Sequence, residues 1–401
     1  MMEHSMMNNV RSRRTYFLLT SLFIVLCVFI LLYVLVFTWD ENAVLMTFGI
    51  TKIPKHVQSV VSSRFNPLFR TRNDSELLRC FGEDSGDKYL ITWYNAPPWI
   101  RGEMDYLARC SLKNCAIAYD RKCMRFSDAV MFRAANVGRP PLKIPGQIWI
   151  FQSFESPQSL VAKFSKWNGL FNWTLTYRQD ASIPCRWGHY IRRENIEIDL
   201  KSIYRNKTKA VLWLVSHCKT PSRREEYVKI LQKYIDVDIY GKCGQLQCNG
   251  EGLHDNPDSC YALFDKYKFY LSFENTLCED YATEKAYKPL GTSTVPVVRG
   301  SSNYSSLLPP KSFINTADFK SIKALGEYLN AVGNNETLYV KYLEWKRDYD
   351  MEIVSPRMGK ICKVCEMLND KKKYAYVYED FEKWWWKNGK ACHKVKDLKF
   401  Q

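Results

Sequence analysis

The sequence predicts an α/β protein in which two Rossmann-like halves face each other across a cleft, behind an N-terminal transmembrane helix. Three features of the chain support this fold class. Short apolar runs of strand length recur and are bounded by Gly, Pro, Asn or Asp, as buried strands are. In the C-terminal half these runs alternate with helical patterns, which favours a parallel sheet. Residues 17–37 form an uncharged apolar segment.

Length and composition exclude several classes of protein. The chain has 401 residues, a length typical of two domains. Its hydrophobic residues make up 46% and its charged residues 25%, which excludes a disordered or collagen-like chain. Lys and Arg number 58 against 42 Asp and Glu, so the net charge is +16. This excess favours an anionic partner, such as nucleic acid, acidic lipid or a phosphorylated small molecule.

Residues 17–37 are predicted to anchor the protein in a membrane. They contain no charged side chain, and at about 1.5 Å per residue they span a hydrocarbon core of roughly 30 Å. Three Arg precede the segment and two acidic residues follow it, so we expect a cytosolic N-terminus and a lumenal body. A cleaved signal peptide is the alternative, but no small-residue cleavage site follows the long apolar run. We expect a cytosolic tail at 1–16, the anchor at 17–37 and a stem at 38–85.

The cysteines fit a lumenal body. There are 14, of which Cys27 lies in the predicted anchor, and the others imply several disulfides and at least one unpaired thiol. A zinc site at Cys362, Cys365 and Cys392 with His393 is an alternative. Its spacing is not a standard one, so disulfides are favoured.

Five N-x-S/T triplets are candidate glycosylation sites in the lumenal body: Asn73, Asn172, Asn206, Asn303 and Asn335. They fit surface loops of a protein of the secretory pathway. A lumenal body also argues against nucleic acid as the anionic partner. It leaves nucleotide sugars, sulfated or phosphorylated glycans and lipid head groups.

Two domains are predicted, the first at 86–200 and the second at 201–360, followed by a C-terminal tail at 361–401. In the first domain, strands are predicted at 88–94, 115–119, 128–132, 147–151 and 173–177. In the second, strands are predicted at 209–215, 236–240, 268–273 and 294–298. Helices are predicted at 222–234 with Ser222 as N-cap, from about 283, and at 374–389. Ligands of open α/β sheets bind beyond the carboxyl ends of strands, so residues that follow strands are the candidates for chemistry.

The densest cluster of candidate site residues follows the strand at 268–273. Glu274 and Asn275 end this strand, and Glu284 and Lys285 open a helix after a polar loop. Free N–H groups at a helix N-terminus suit a diphosphate, and a bound anion would offset the unfavourable place of Lys285 in the first turn. Glu284 suits a ribose diol. The alternative is an ordinary capped helix with solvated charges.

At this cluster the sequence resembles the α-1,3-fucosyltransferases of glycosyltransferase family ten. The family signature runs F-Y-L-S-F-E-N-S, then D-Y-x-T-E-K, then V-P-V-V-x-G. It is matched here at 269–276, 280–285 and 295–300. The resemblance implies a GT-B fold with two Rossmann-like domains, GDP-fucose as donor substrate, and a glycan of a glycoprotein or glycolipid as acceptor.

Carried over position by position, the resemblance implies five donor-binding residues: Arg224, Asn275, Tyr281, Glu284 and Lys285. Arg224 fits the arginine that a similar family segment places on the donor phosphates, although an arginine in the first turn of a helix is more often a solvated charge. Lys285, Arg224 and the helix N-terminus would balance the leaving diphosphate, so no metal cofactor is obligatory. A stimulatory divalent cation is left open.

Glu155 is the predicted general base. It lies in a stretch, 146–157, that resembles the family's G-Q-x-W-x-W-x-x-x-E-S-P segment, whose glutamate is the proposed base. Independently, Glu155 follows an apolar strand, so we expect it at the cleft and partly desolvated, which raises the pKa of a carboxylate toward the range useful for a base. The implied reaction is inverting transfer of L-fucose from GDP-β-L-fucose in α-1,3 linkage to GlcNAc. The GlcNAc belongs to an N-glycan core or to a LacNAc or LacdiNAc antenna.

Three departures from the family pattern leave the acceptor open. The chain has Arg133 where relatives carry His, and His217 where Asn is common. Pro289 falls inside the helix that begins near 283, and we expect it to end that helix about a turn early.

Two other functions are considered. A metal-dependent transferase of the GT-A type would use Asp236 and Asp238, but this pair opens a strand instead of ending one. A second pair, Asp348 and Asp350, falls in a predicted helix. A non-catalytic glycan-binding membrane protein would share the anchor, sequons and disulfides. The favoured prediction is a single-pass type II enzyme of the Golgi membrane, with no metal site, no nucleic-acid partner and a homodimer left open.

Overall fold

The structure is a computed structural model that describes residues 79–81, 88–97, 100, 107–160, 162–248, 257–354 and 360–398. All of the described residues belong to one compact unit, and so does every element below. The predicted cytosolic tail, membrane anchor and most of the stem, including Asn73, lie outside the described residues. Within the described ranges, no helix has both the length and the apolar composition needed to cross a bilayer.

The first sheet contains six parallel strands in the order β2-β1-β3-β4-β5-β6. They are β1 (Tyr89–Trp93), β2 (Cys115–Ala118), β3 (Ala129–Arg133), β4 (Ile148–Ser153), β5 (Trp173–Thr176) and β6 (Ile183–Pro184). The five strands predicted for this region are therefore confirmed. The strand order reverses between β1 and β3, and such a reversal opens a crevice at the carboxyl edge of a parallel sheet.

The second sheet has five parallel strands in the order β12-β11-β10-β8-β9. They are β8 (Lys209–Leu214), β9 (Val237–Tyr240), β10 (Tyr267–Phe273), β11 (Val295–Arg299) and β12 (Ile314–Asn315). If the strands of each sheet are numbered from one in chain order, both sheets contain the order 2-1-3-4-5. In the second sheet the order reverses between β8 and β10. β7 (Gly188–Arg192) and β13 (Tyr349–Ile353) form a separate antiparallel pair.

Residues 79–81 and Leu107 are helical, and the α-helices whose bounds are described follow β7. They are α1 (Leu200–Arg205), α2 (Arg224–Leu231), α3 (Pro257–Phe264), α4 (Glu284–Tyr287), α5 (Ile322–Gly333), α6 (Glu336–Val340), α7 (Ile361–Asn369) and α8 (Phe381–Trp386). Between β2 and β6 the described residues contain only short 3-10 turns: Arg121–Phe126, Pro157–Ser159 and Ser165–Trp167. The described connections between β2 and β6 therefore contain no α-helix.

Helices from the C-terminal end of the chain cover the first sheet instead. Alternate residues of a strand point to opposite faces, and those of β3 and β4 belong to two separate apolar clusters. Helix α7 packs in the cluster that contains Met131 and Ile150. Helix α8 packs in the other, where Trp385 lies against Phe151 with ring centroids 4.9 Å apart. The chain therefore returns to its first sheet after it has built the second.

Helices cover both faces of the second sheet. On one face, α2 and α5 bury side chains such as Val228 and Leu325 against Val211 of β8 and Phe269 of β10. On the other face, Phe264 of α3 packs with the intervening strand residues of β8 and β10. This arrangement agrees with the strand and helix alternation predicted for the region.

Several predicted helix bounds are wrong. Helix α2 is shorter than 222–234, and its N-cap is Arg223 in a left-handed conformation with φ 50°, not Ser222. The reason is that Ser222 is held by β10, since its hydroxyl donates to the carbonyl of Glu274 at 2.7 Å. The helix predicted at 374–389 is also shorter, since α8 covers only Phe381–Trp386. Residues 374–380 are not helical, because the N–H of Tyr378 donates to the carbonyl of Phe171 at 2.9 Å.

Two further expectations concern single residues. The helix that opens at Glu284 has only four residues and continues as a 3-10 turn that contains Pro289, so the expected early end is confirmed. Asp350 lies in strand β13 and not in a helix, because it belongs to the antiparallel ladder with β7.

Six disulfides are formed by the described cysteines: Cys80–Cys123, Cys110–Cys362, Cys115–Cys365, Cys218–Cys243, Cys248–Cys260 and Cys278–Cys392. Cys185 is buried and unpaired. The prediction of several disulfides and one free thiol is confirmed. A zinc site at the three C-terminal cysteines is wrong, because each of them has a disulfide partner elsewhere in the chain.

Candidate active site

A pocket of about 520 Å³ lies between the carboxyl edges of the two sheets. Its first wall follows β3 and β4 and comprises Arg133–Ala135, Gln152–Glu155 and Trp187. Its second wall comprises Leu214–His217, Arg224, Asn275, Tyr281 and Thr283–Lys285. The second wall follows β8 and β10, the pair of strands at which the sheet order reverses. This is the place where open α/β sheets bind nucleotides.

The pocket contains all six residues predicted for catalysis and donor binding: Glu155, Arg224, Asn275, Tyr281, Glu284 and Lys285. They are far apart in the sequence and come from both sheets. Four cationic side chains and two carboxylates line the pocket: Arg133, Arg224, Lys285 and Lys288, with Glu155 and Glu284. The excess of positive charge suits an anionic ligand.

Glu155 is exposed, so the expectation of partial desolvation is wrong. Its backbone is fixed, because its N–H donates to the hydroxyl of Ser153 at 3.1 Å and that hydroxyl donates back to its carbonyl at 2.8 Å. Its carboxylate accepts a hydrogen bond from the hydroxyl of Tyr281, with Oε2 and Oη 2.9 Å apart. The carboxylate is thus oriented by the second wall while it remains open to solvent and to a ligand.

Tyr281 is a buried donor to this carboxylate. Its side chain is 1% exposed and packs edge to face on Tyr177 with centroids 5.0 Å apart. Burial, and then the negative charge of Glu155, raise the pKa of Tyr281 well above its ordinary value. The hydroxyl therefore keeps its proton and holds Glu155 as a hydrogen-bond donor.

Three consecutive carbonyls at the end of β10 hold the loop that precedes α2. The carbonyl of Phe273 accepts from the guanidinium of Arg224 at 2.7 Å, and that of Glu274 accepts from the hydroxyl of Ser222. The carbonyl of Asn275 accepts from the backbone N–H of Ser222 at 3.0 Å. These bonds fix the entry to α2 and explain the left-handed conformation of Arg223, which a non-glycine residue adopts only when its surroundings require it.

Arg224 is not a solvated charge, since it is only 3% exposed. A second bond, 3.3 Å long, joins its guanidinium to the carbonyl of His217. Its Nε is buried without a hydrogen-bond partner among the described residues. Because Arg224 lines the pocket, its positive charge favours an anionic ligand there.

Lys285 lies in a network of side chains on the second wall. Its ammonium donates to the hydroxyl of Thr283 at 2.8 Å and to Glu284 at 3.0 Å, and it lies 3.6 Å from Oε2 of Glu274. Burial alone lowers the pKa of Lys285, but the two carboxylates outweigh burial and hold it above its ordinary value. Burial alone would raise the pKa of Glu284, but the charge and hydrogen bond of Lys285 hold it below its ordinary value. The conflict expected for Lys285 is therefore resolved by carboxylates, and α4 is a single turn.

Two further buried polar atoms, each on a residue that lines the pocket, have no hydrogen-bond partner among the described residues. They are Oδ1 of Asn275 and Nε1 of Trp187, one on each wall. Both are buried, and buried polar atoms without partners are uncommon in folded proteins.

Sequence reasoning missed three features of this site. Glu274 anchors Thr283 and Lys285. The sequence placed it in the candidate cluster but assigned it no role, although a carboxylate at the end of an apolar strand is a usable signal. The bond between Tyr281 and Glu155 has no sequence signal, because 126 positions separate the two residues. The same holds for the buried contact between the hydroxyls of Thr276 and Ser156, 2.8 Å apart, which joins the two walls.

The residues of the GT-A alternative lie outside this pocket. Asp238 accepts from the ammonium of Lys209 at 2.6 Å and from the hydroxyl of Tyr267 at 2.5 Å. With Asp236 it lines a different groove, near the amino ends of β8 and β10. In the part of the chain that the structure describes, three or more His, Cys, Asp or Glu never come together as a metal site would require.

The predicted glycosylation sites differ in their surroundings. Asn206, Asn303 and Asn335 are exposed. Asn172 instead donates from its amide to the carbonyl of Tyr376 at 3.1 Å and accepts from the N–H of Trp149 at 2.9 Å. A glycan on Asn172 would have to replace the first of these bonds, so this site is structurally the least favourable of the four.

Comparisons with known proteins identify the family of the chain. A family model described as "Fucosyltransferase, N-terminal" matches residues 86–188, and one described as "Glycosyltransferase family 10 (fucosyltransferase) C-term" matches residues 204–384. "Alpha-(1,3)-fucosyltransferase C" of Drosophila melanogaster is 29% identical over 340 residues, which are 77% of this chain and 77% of the relative. "Alpha-(1,3)-fucosyltransferase fut-1" of Caenorhabditis elegans is 32% identical over 315 residues, which are 75% of this chain and 70% of the relative.

A solved structure also aligns with this chain. The crystal structure titled as an alpha1,3-fucosyltransferase with GDP-fucose is 18% identical, with a TM-score of 0.47, and the alignment covers 73% of this chain and 93% of that one. The two family models together cover most of the described residues, and the gap between them, 189–203, lies between the last strand of the first sheet and the first strand of the second. The chain therefore belongs to glycosyltransferase family 10, the fucosyltransferases.

Proposed function

We propose that this enzyme transfers L-fucose from GDP-β-L-fucose, in α-1,3 linkage and with inversion, to GlcNAc of a glycoprotein glycan. The observation that carries the proposal is the pocket in which an exposed carboxylate, Glu155, faces the cations Arg224 and Lys285. The names of the fly and nematode relatives support the linkage. The family and the crevice of the second sheet support a nucleotide sugar as donor.

Glu155 acts as general base in the proposed mechanism. Its carboxylate takes the proton of the acceptor hydroxyl while the hydroxyl oxygen forms a bond to C1 of fucose on the face opposite the nucleotide. The bond between C1 and the β-phosphate oxygen breaks as C1 gains oxocarbenium character, and GDP leaves. Because a single displacement inverts the configuration, a β-linked donor gives an α-linked product.

Arg224 and Lys285 stabilise the leaving diphosphate in this proposal. Both are held in place before the ligand binds, by carbonyls in one case and by carboxylates and Thr283 in the other. Preorganised cations stabilise developing negative charge without reorganisation during the reaction. They supply the countercharge that a divalent ion supplies in other transferases, so metal is not obligatory, and a stimulatory divalent cation remains part of the test.

The proposed architecture is of the GT-B type, with the donor on the second sheet and the acceptor on the first. The matching strand order of the two sheets and the pocket at their carboxyl edges support this assignment. Acceptor contacts would come from the first wall, where Trp187 and Phe154 contact each other edge to face.

Incubation of the full-length protein with GDP-fucose and defined glycans tests the proposal. The glycans are an N-glycan core, LacNAc and LacdiNAc, each with and without a chelator. We expect α-1,3-fucosylated product from at least one of them, with chelator present. Absence of transfer to every GlcNAc-containing glycan would contradict the proposed reaction. Transfer that occurs without chelator but is lost when chelator is added would contradict the proposed metal independence.

We further propose that the enzyme is a type II Golgi membrane protein with a lumenal catalytic body. The apolar segment at 17–37, the disulfides and the exposed sequons support this orientation. In microsomes, the C-terminal body should resist protease until detergent is added. Each of the substitutions Asn206→Gln, Asn303→Gln and Asn335→Gln should increase gel mobility, because each removes one glycan. Asn172→Gln should leave gel mobility unchanged. Digestion of the body in intact microsomes would contradict the orientation.

A further inference from the structure

Glu274 directly follows strand β10 and lies behind the second wall. The mechanism above gives it no role. Its side chain is 0% exposed. Burial of a carboxylate is costly unless it is hydrogen-bonded and paired with a cation. Such a group in the interior behind a binding pocket therefore calls for an explanation beyond packing.

Glu274 is fully partnered by residues that lead into the pocket. Its Oε1 accepts from the backbone N–H of Thr283 at 2.7 Å, and its Oε2 accepts from the hydroxyl of Thr283 at 2.8 Å. Oε2 also lies 3.6 Å from the ammonium of Lys285. The hydroxyl of Thr283 in turn accepts from that ammonium. One residue, Thr283, thus connects the buried carboxylate to the cation on the pocket surface.

The two carboxylates beside Lys285 differ in their access to a ligand. The side chain of Glu284 is 29% exposed and lines the pocket, so a ligand can hydrogen-bond to it. Glu274 does not line the pocket, and no ligand can reach it. When a ligand engages Glu284, Glu274 remains the counter-ion of Lys285.

We propose that Glu274 is a positioning residue, the permanent buried counter-ion that keeps the Lys285 ammonium charged and directed at the diphosphate of the donor. This inference rests on the proposed function, because it assigns Lys285 to the donor diphosphate. It extends that function to a residue that does not touch the substrate. A fixed ion pair behind the wall means that the cation does not depend on the ligand for its charge.

Other charged and titratable groups face this pair from each neighbouring element. Around Lys285 they are Glu284 of α4, Arg224 of α2 and Tyr270 of β10. Lys288 acts on Glu284 from the turn after α4. Around Glu274 they include the buried hydroxyls of Tyr281, Tyr287 and Tyr304.

The directions of the pKa shifts agree with this arrangement. Burial raises the pKa of Glu274, while the charge of Lys285 and the bonds from Thr283 oppose that shift. For Lys285, burial lowers the pKa, but Glu284 and Glu274 outweigh it and the pKa is raised. Removal of the Glu274 charge therefore lowers the pKa of Lys285, so that the ammonium loses its proton at a lower pH.

Glu274→Gln in the full-length protein tests the inference, because it removes the charge and keeps the shape. GDP-fucose affinity is measured by calorimetry, and donor KM and kcat are measured alongside. The measurements run from about pH 7 to about pH 10, a range in which an ordinary lysine is still largely charged. We expect wild-type affinity to change little over this range. We expect Glu274→Gln to bind about tenfold or more weakly at neutral pH and to weaken further as the pH rises.

Two variants separate positioning from a structural role. Glu274→Asp keeps the charge, so its donor affinity should remain independent of pH even where its absolute value falls. Asp128→Asn is the matched control, because Asp128 is also a buried carboxylate, 2% exposed and 3.1 Å from the ammonium of Lys371, but outside the pocket. We expect this control to lower the melting temperature without a change in donor affinity or its pH dependence.

The outcomes distinguish this inference from the proposed function. If wild-type protein binds GDP-fucose and Glu274→Gln matches it in affinity and pH dependence, the inference is wrong and the function stands. If wild-type protein neither binds GDP-fucose nor transfers fucose, the proposed function itself is wrong. Should Glu274→Gln not fold, Thr283→Val replaces it. That variant removes the hydroxyl between the two charges, and unchanged donor affinity in it would overturn the inference.

Discussion

The two walls of the pocket are built in opposite ways. On the second wall, Arg224 and Lys285 are largely buried, and each is bonded to groups that no ligand reaches. On the first wall, Glu155 is exposed and its carboxylate has a single described hydrogen bond, from Tyr281. The difference matches what each wall has to do. Groups that bind a fixed charge profit from rigid placement, whereas a general base must accept and release a proton and so must stay accessible.

The sharpest test of this contrast is removal of the exposed carboxylate. In Glu155→Gln, we expect kcat to fall by about 10²- to 10⁴-fold, the usual contribution of a general base. GDP-fucose affinity should stay close to wild type, because the second wall is unchanged. Transfer assays and calorimetry measure the two quantities. Glu279→Gln is the control, since Glu279 is paired with Lys387 at 2.8 Å and lies outside the pocket.

Retention of wild-type turnover by Glu155→Gln would remove the assigned base. Loss of donor affinity in the same variant would show that the two walls are not separate in function.

The next largest effect is expected on the second wall. Arg224→Ala should weaken GDP-fucose binding by roughly 10- to 100-fold, as expected for lost hydrogen bonds to a charged group. It should also lower the melting temperature, because the carbonyl of Phe273 loses its donor. The neighbouring Arg223 is exposed and paired with Glu226, so Arg223→Ala is the matched control. Equal effects of the two substitutions would mean that burial of Arg224 has no functional role.

A smaller effect is expected at the contact between the walls that orients the base. Tyr281→Phe removes the hydrogen bond to Glu155 and keeps the ring, so kcat should fall by about five- to tenfold. Tyr177→Phe, in the ring that packs on Tyr281, is the control and should leave kcat nearly unchanged. If Tyr281→Phe instead raises donor KM and spares kcat, the hydroxyl binds the donor and does not position the base.

The smallest effect is expected where the walls are joined without any charge. Thr276→Val removes the buried hydroxyl that donates to Ser156. We expect the free energy of unfolding to fall by about 1 to 2 kcal/mol, measured by urea denaturation, with turnover nearly unchanged. A large loss of turnover would mean that the spacing of the walls, and not only their side chains, limits the reaction.

Most strands were predictable because buried strands are short apolar runs with clear ends, and those of both sheets begin and end within two residues of their predicted bounds. The positions of the site residues after strands followed from the same pattern. Helix ends were less predictable. Serine is a common N-cap residue, which is why Ser222 was predicted to cap the helix. A hydrogen bond from its hydroxyl to the carbonyl of Glu274, 52 positions away, instead fixes its conformation.

The exposure of Glu155 could not be derived from its place after an apolar strand, since the width of the pocket depends on both sheets. The same is true of Glu274. Its position at a strand end is visible in the sequence, but its partners Thr283 and Lys285 reach it only through the fold of the loop between them. Contacts between walls depend on tertiary structure, and no local pattern records them.

The disulfides of the first sheet have a consequence for biosynthesis. Cys110 and Cys115 pair with cysteines 252 and 250 positions later. A ribosome has to translate the whole second sheet before either bond can form. Until then both thiols are open to mispairing, whereas Cys80 and Cys123 are only 43 positions apart and can join early. Correct folding of this enzyme should therefore require disulfide exchange late in synthesis. A premature stop codon that removes Cys362 and Cys365 should leave Cys110 and Cys115, near the start of the described fold, without their partners.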